Sequence, residues 1–363
     1  MVLKCGTKDA AAFNAKLAEG DDVGFLLEDG EQDFGCAAWS ATVQDVPEKY
    51  SQGGGVEELS RRGGRKVRGS QCTAIGRNTL VFMPRVVPIT EFDLSTHPLL
   101  ADYANLTDAQ LRGRDLKGEQ LHFIAEGEGV VRHLIASRFQ TRSLLVTPHH
   151  VAEKMADIVP TLGDDVTVFV ALPQLVEAIT GFPFHRGVIA SGAVGRPHAA
   201  ETLIANASLL VVCERLSNIE NMGAVFRNVA CLAGENAAVL LSPESCHPLY
   251  RKSLRVSMGH ALRVPYAHLV GWPDSLQMLR RAGFRLLALT PRRDAADIAA
   301  AAAMIDSHHP GVRVALLVGA EGPGLSEGAI GAADLAVKIP MQPGADSLNV
   351  ATALAIALHA VQK

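Results

Sequence analysis

The sequence predicts an α/β protein of two domains, and three observations carry that reading. From residue 119 onward, short apolar runs of strand length alternate with helix-like stretches of about ten residues. Hydrophobic residues make up 48% of the chain but aromatics only 5%, which suits an α/β protein better than a β-sandwich. The stretch 312–361 reads as strand, glycine-rich loop, short helix, strand, loop and apolar helix. The length of 363 residues allows two domains or three.

Residues 1–83 show no sustained periodicity and carry the glycine-bearing basic run RRGGRKVRG at 61–69. They read as a poorly ordered extension whose charge run is solvated or touches an RNA backbone. A native start at Met83, just before PRVVPIT, is an alternative. Residues 84–118 read as a connecting segment bounded by prolines, with a helix start at Thr107 and Asp108. Residues 119–195 read as a small α/β domain. Its expected strands are 122–126, 143–147, 166–170 and 187–191, and its helices 127–137, 151–158 and 173–179.

The polar, proline-bearing stretch 196–206 reads as a linker, and 207–363 as the second domain. There the expected strands are 208–216, 236–242, 284–290, 312–318 and 336–339. Helices are expected at 224–232, 276–282 and through the alanine run ending at Ile305, with a further basic helix inside 247–267. Asn221 and Gly223 are placed at the turn before the first of these helices. The last helix, Val350 to Val361, is apolar on nearly every side and starts at Ser347 or Asn349, so it is expected to be buried. The strands ending at Val318 and Ile339 are taken as parallel neighbours whose loops share the carboxyl edge of a sheet, the usual place for a ligand.

Several classes fall away on composition. The net charge of −4 gives no global nucleic-acid signature, although residues 201–363 carry 14 basic against 13 acidic residues and permit a polyanion there. No apolar run reaches the ~18 residues of a membrane span, and charged residues interrupt any apolar start, so a soluble cytoplasmic protein with no membrane partner is expected. Cys5, Cys36, Cys72, Cys213, Cys231 and Cys246 form no CxxC pair, and His149, His150, His185 and His198 lie on different loops. Reduced thiols and no metal site follow.

Three short stretches carry the chemistry. The first, Asn221-Met-Gly-Ala-Val-Phe-Arg227, spaces an amide and a guanidinium along a strand-to-helix corner. The second, Gly319-Ala-Glu321-Gly-Pro-Gly-Leu-Ser326, is a glycine-rich loop after a strand. A carboxylate inside it disfavours phosphate, and no Gly-Lys-Ser/Thr follows. A nucleotide-dependent oxidoreductase or kinase would need a phosphate loop on the first strand of its domain, and none is present. The third is Ile339-Pro-Met341 followed by Ser347-Leu-Asn349-Val. Each alone is generic.

In this order the three resemble the SpoU (TrmH-like) family of RNA ribose 2′-O-methyltransferases in the SPOUT superfamily, and Arg255-Val-Ser-Met-Gly259 resembles a further stretch of it. The resemblance spans about 201–363. Residues 119–195 look like the accessory RNA-binding domain, similar to certain ribosomal proteins, that many members carry; residues 1–83 match nothing in the family. Ala320 stands where many members have Asn or Ser.

The resemblance implies a deep trefoil knot, a homodimer through the knot and last helix, and S-adenosylmethionine as cofactor. By position, Leu317, Val318, Gly319, Ile339, Met341 and Leu348 would line the cofactor site, largely with backbone groups. Gly319 would keep an adenine slot open. Arg227 would be the base or an orienting group, held with the ribose by Asn221, Glu321, Ser347 and Asn349. Arg251, Lys252, Arg255 and Arg263 would meet RNA phosphates, with rRNA slightly favoured over tRNA. A catalytically inactive RNA-binding protein of the same fold is the alternative.

Overall fold

The computed structural model describes residues 84–104, 122–308 and 311–362, with four short strand segments before position 84. Those segments form two antiparallel pairs, Phe25–Leu26 with Ala38–Trp39 and Cys72–Ala74 with Leu80–Phe82. The expected extension over 1–83 and the helix start at Thr107 otherwise lie outside the described residues. The described residues divide into two compact units, one built largely from 84–104, 126–135 and 141–193, the other from 122–125 and 136–140 with the described residues from 194 onward.

A five-stranded mixed sheet contains β1 (Arg85–Pro88), β2 (His122–Glu126), β3 (Thr141–Val146), β4 (Thr167–Val170) and β5 (Val188–Ala193), in the order β1-β4-β3-β5-β2. The segment 84–118, read as a connection, thus supplies an edge strand: β1 runs parallel to β4, Val86 opposite Val168. Its flanking prolines suggested a boundary, but an edge strand tolerates proline because one side needs no donor. The turn Pro98–Tyr103 is fastened beneath it. Asp102 accepts from Arg142 Nε at 2.9 Å and Ser191 Oγ at 2.6 Å, and the Tyr103 hydroxyl lies 2.8 Å from Ser143 Oγ. Helices α1 (Glu128–Ile135) and α2 (Pro173–Thr180) match expectation, but the helix expected at 151–158 is only a wide turn at His150–Lys154.

The second unit opens with α3 (Ala200–Asn206), a helix where a linker was expected. Leu203 and Ile204 bury one side of it against the sheet core, which the polar residues around them disguise. Seven parallel strands follow: β6 (Leu209–Cys213), β7 (Ala237–Leu241), β8 (Tyr266–His268), β9 (Phe284–Leu289), β10 (Ala296–Asp297), β11 (Arg313–Val318) and β12 (Leu335–Lys338). Their order is β8-β7-β6-β11-β9-β12-β10. Strands buried on both faces read as continuous apolar runs, as LLVVC and AAVLL do. One core joins Leu210, Val212, Leu240, Ala288, Ala315 and Leu317 to Leu276 and Leu279 of α6 (Leu276–Arg281), and the alanine run forms α7 (Ile298–His308).

This order corrects one expectation and locates the site. β11 and β12 are not neighbours, because β9 pairs with both. The loop after β9 therefore stands between the two loops expected to act together, and Thr290 N donates to Val337 O at 2.9 Å. From β6 the chain steps outward through β7 and β8, then returns beyond β11 on the other side. β6 and β11 are thus adjacent strands at a topological switch, and parallel sheets of this kind bind ligands outside the carboxyl ends of the strands at such a point.

Candidate active site

After β6 the chain turns sharply. Arg215 takes a positive φ of 49°, and its N–H donates to Ser242 Oγ at 2.8 Å. Asn218 then caps helix α4 (Ile219–Leu232), its side-chain oxygen accepting from Glu220 N at 2.9 Å and Asn221 N at 3.2 Å. The helix starts five residues before the expected Ala224, so Asn221 and Gly223 lie within it rather than at a turn. Gly223 serves close packing instead. A Cβ there would lie 2.6 Å from Ser253 O and 2.8 Å from Val256 Cβ, both on α5 (Arg251–Val256).

After β11 the chain makes a compact loop. Gly324 N donates to Ala320 O at 3.0 Å, and Gly322 and Gly324 take positive φ of 87° and 68°. A Cβ on Gly319 would lie 2.1 Å from the Gly324 carbonyl carbon and 2.3 Å from Leu325 N. The expectation that Gly319 keeps an adenine slot open is corrected here: its missing side chain makes room for the loop's own backbone. Ser326 caps the short helix α8 (Glu327–Ala332), accepting from Ala329 N at 3.2 Å.

Three distant segments meet at the Glu321 carboxylate. Its Oε1 accepts from Asn221 Nδ2 at 2.6 Å and from Asn349 Nδ2 at 3.2 Å, and its Oε2 from Asn218 Nδ2 at 3.3 Å. Asn349 Nδ2 also donates to Asn221 Oδ1 at 2.9 Å. The other end of Asn349 caps α9 (Val350–Val361) by accepting from Ala351 N at 2.9 Å. Asn228, two turns along α4 from Asn221, donates to Ala351 O at 2.7 Å, so α4 and α9 are locked side by side. Amide donors converging on one carboxylate agree with the view that this loop suits donors rather than phosphate.

The remaining expected residues are distributed unevenly. Arg227 is exposed on α4, and its side chain makes no hydrogen bond or ion pair among the described residues. Asn221, Glu321 and Asn349 hold one another, not Arg227 as expected. Ser347 stands exposed in the loop before α9, where Asn349 is the cap. The side chains of Leu317 and Val318 are buried in the sheet, so only their backbone can meet a ligand. Gly319, Ile339 and Met341 are half-buried and Leu348 is exposed. Lys252 is exposed, and its Nζ pairs with Glu220 Oε1 at 2.6 Å across two exposed side chains. Arg251 and Arg255 are half-buried and Arg263 is exposed.

Asn218 was missed, although a polar residue just ahead of an apolar helical period signals a cap. Glu214 was missed as well. It is 1% exposed at the end of β6 and accepts from Trp272 Nε1 at 2.7 Å and Ser326 N at 2.8 Å.

Residues 208–359 match the SpoU rRNA Methylase family. An uncharacterized tRNA/rRNA methyltransferase of Mycobacterium tuberculosis is 42% identical over 263 residues, which is 72% of this chain and 88% of the relative. An AdoMet-bound rRNA methyltransferase from Sinorhizobium meliloti shares the fold at a TM-score of 0.60 and 23% identity, over 76% of this chain and 97% of that one. The SpoU methyltransferase AviRb from Streptomyces viridochromogenes, in complex with the cofactor AdoMet, shares it at a TM-score of 0.58 and 20% identity, over 73% and 97%. SpoU methyltransferases use S-adenosylmethionine. The β6–β11 switch point, the linked Asn221, Glu321 and Asn349, and this likeness lead to one conclusion: the chain belongs to the SpoU methylase family.

Proposed function

We propose that this protein transfers a methyl group from S-adenosylmethionine to the ribose 2′-hydroxyl of a nucleotide in structured RNA. The observation that carries the reading is the hydrogen-bonded union of Asn221, Glu321 and Asn349, with Arg227 exposed on the same helix as Asn221. The residues present fit the cofactor. Half-buried Ile339 and Met341 and exposed Leu348 offer apolar surface for an adenine, and the backbone of Val318, Gly319 and the 342–349 loop offers polar groups around it.

S-adenosylmethionine supplies an electrophilic methyl group on a sulfonium. The protein's part is to hold the ribose oxygen in line and to favour its alkoxide character, so that as the O–CH3 bond forms the hydroxyl proton passes to solvent at this exposed face and S-adenosylhomocysteine is the leaving group. Arginine is a poor base, since the guanidinium stays protonated at neutral pH. Arg227, whose side chain has no partner among the described residues, serves as a donor to the hydroxyl and the adjacent phosphate and steadies charge developing on the oxygen. The Asn221–Glu321–Asn349 network fixes the N-terminal turns of α4 and the start of α9, so that Arg227 is presented from a rigid base. Ser347, exposed in the loop before α9, contributes its hydroxyl to holding the ribose. Arg251, Arg255 and Arg263 contribute phosphate contacts.

The remainder of the reading follows the family. Residues 119–195 act as an accessory RNA-binding domain, rRNA is slightly favoured over tRNA, and the protein works in the cytoplasm. The chain from β11 to α9 forms the trefoil knot. A homodimer forms across the outer side of α9, where Ile356 is 40% exposed beside exposed Thr352 and His359. The test is methyl transfer from labelled S-adenosylmethionine to separate unmodified tRNA and rRNA pools, followed by nuclease digestion. Label in a nuclease-resistant dinucleotide is the expected result and names the substrate pool. Cofactor binding without label in either pool would favour an inactive RNA-binding protein.

A further inference from the structure

Glu214 lies outside the residues that meet cofactor or RNA in the reading above, yet its environment is unusual. A carboxylate 1% exposed is costly unless donors surround it. Here they do. Oε1 accepts from Trp272 Nε1 at 2.7 Å and lies 3.9 Å from Arg215 Nε, while Oε2 accepts from Ser326 N at 2.8 Å. The backbone of the same residue is engaged too, since Glu214 N donates to Val318 O at 2.8 Å.

Val318 and Ser326 are the two ends of the glycine-rich loop. One residue immediately after β6 therefore grips the loop where it leaves β11 and again where it enters α8. The positive φ at Arg215, held by Ser242 Oγ, turns the chain away immediately afterwards and leaves both Glu214 contacts directed at the loop. Between the two grips the loop has one described backbone hydrogen bond of its own, Gly324 N to Ala320 O. Glu321, which gathers Asn218, Asn221 and Asn349, lies between these ends.

We propose that Glu214 is a positioning residue that clamps both ends of the 319–326 loop and so sets cofactor affinity. This rests on the reading that the loop contributes to the S-adenosylmethionine site. An oxygen on each side of the carboxyl group is needed, because a donor faces each. Glu214→Gln supplies one oxygen and one amide N–H₂, so one of the two donors must face another donor.

The test is calorimetric titration of S-adenosylmethionine into the full chain as wild type, Glu214→Gln, Trp272→Phe and the double variant, with melting curves confirming that each is folded. Glu214→Gln is expected to weaken binding by about tenfold or more. Trp272→Phe is expected to stay within about threefold of wild type. The double variant is expected to match Trp272→Phe, because with the indole N–H gone the amide can turn its oxygen to Ser326 N. A purely space-filling role would not give that rescue. Glu214→Gln binding like wild type, or a double variant as weak as Glu214→Gln, would overturn the proposal. A wild type that binds no S-adenosylmethionine would instead refute the cofactor site itself, and this shows before any substitution is compared.

Discussion

Adding a single methyl group at Gly319 tests the loop geometry most directly. The Cβ of Gly319→Ala would sit 2.1 Å from the Gly324 carbonyl carbon, 2.3 Å from Leu325 N and 2.4 Å from Gly324 O, whereas ordinary contact begins near 3.4 Å. All three atoms belong to the backbone, so no side chain can swing aside. The loop must lift at Gly324, which forfeits the Gly324 N to Ala320 O hydrogen bond, at about 1 kcal/mol. Overpacking of this kind adds about 1–3 kcal/mol. A total of about 3 kcal/mol lowers the melting temperature by roughly 10 °C for a unit of this size. Buried Leu325 and capping Ser326 lie just beyond Gly324, and Glu321 lies within the lifted segment, so the site should be lost well before the fold is. Calorimetry should find S-adenosylmethionine affinity reduced by a hundredfold or more, in a protein that still melts cooperatively. Binding within about threefold of wild type would refute the reasoning, because it would require the loop to tolerate an overlap that its backbone contacts forbid.

Other outcomes follow from the same geometry. Arg227→Ala should lower turnover by two or more orders of magnitude with cofactor affinity nearly unchanged; near-normal turnover in a single-turnover assay would remove Arg227 from the chemistry. Asn349→Ala removes both the cap of α9 and a donor to Glu321 and Asn221, so thermal unfolding should show about 1 kcal/mol or more of lost stability alongside reduced methyl transfer. Burial pushes the Cys213 thiol well above its ordinary value, so native alkylation at pH 8 should label exposed Cys231 and spare Cys213, as peptide mass spectrometry can read. His150 is held below its ordinary value of 6.5, first by burial and then by repulsion from His149. The unfolded imidazole takes up a proton more readily than the folded one, so stability should be full above pH 6.5 and fall as the pH drops below it, and His150→Gln should flatten that dependence.

Much of the second unit was legible because its strands are buried on both faces. LLVVC and RVALLV announce themselves as continuous apolar runs, and glycines mark the loop that follows the second. The three chemistry-bearing stretches were legible as a set, and Asn221, Glu321 and Asn349 do come together. What local pattern could not convey was adjacency. Nothing in 336–339 indicates that β9 intervenes between it and β11, since a short strand carries no record of its partner. Gly223 was read as a turn residue because glycine usually marks one, while here it permits α4 to approach the Ser253 carbonyl. The pairing of Lys252 with Glu220 was likewise illegible, because Glu220 lies on another helix and the pair forms only when α4 and α5 pack together. Asn218 and Glu214 were hidden for a related reason: each matters through a partner about a hundred residues away.

The edge strand β1 sets a practical boundary for shortening this chain. Its four residues cover one side of β4, the run TVFV at 167–170, through parallel pairs from Arg85↔Thr167 to Pro88↔Val170. Shortening to residue 84 keeps that cover, while shortening to residue 118 strips it away together with the buried Asp102 and Tyr103. The second cut would bare a row of unpaired backbone groups along an apolar, β-branched strand, which is a template for joining another copy edge to edge. A fragment designed to isolate the methyltransferase unit with its companion sheet would therefore self-associate through β4. Such clumping would come from the cut, not from any natural assembly of the protein.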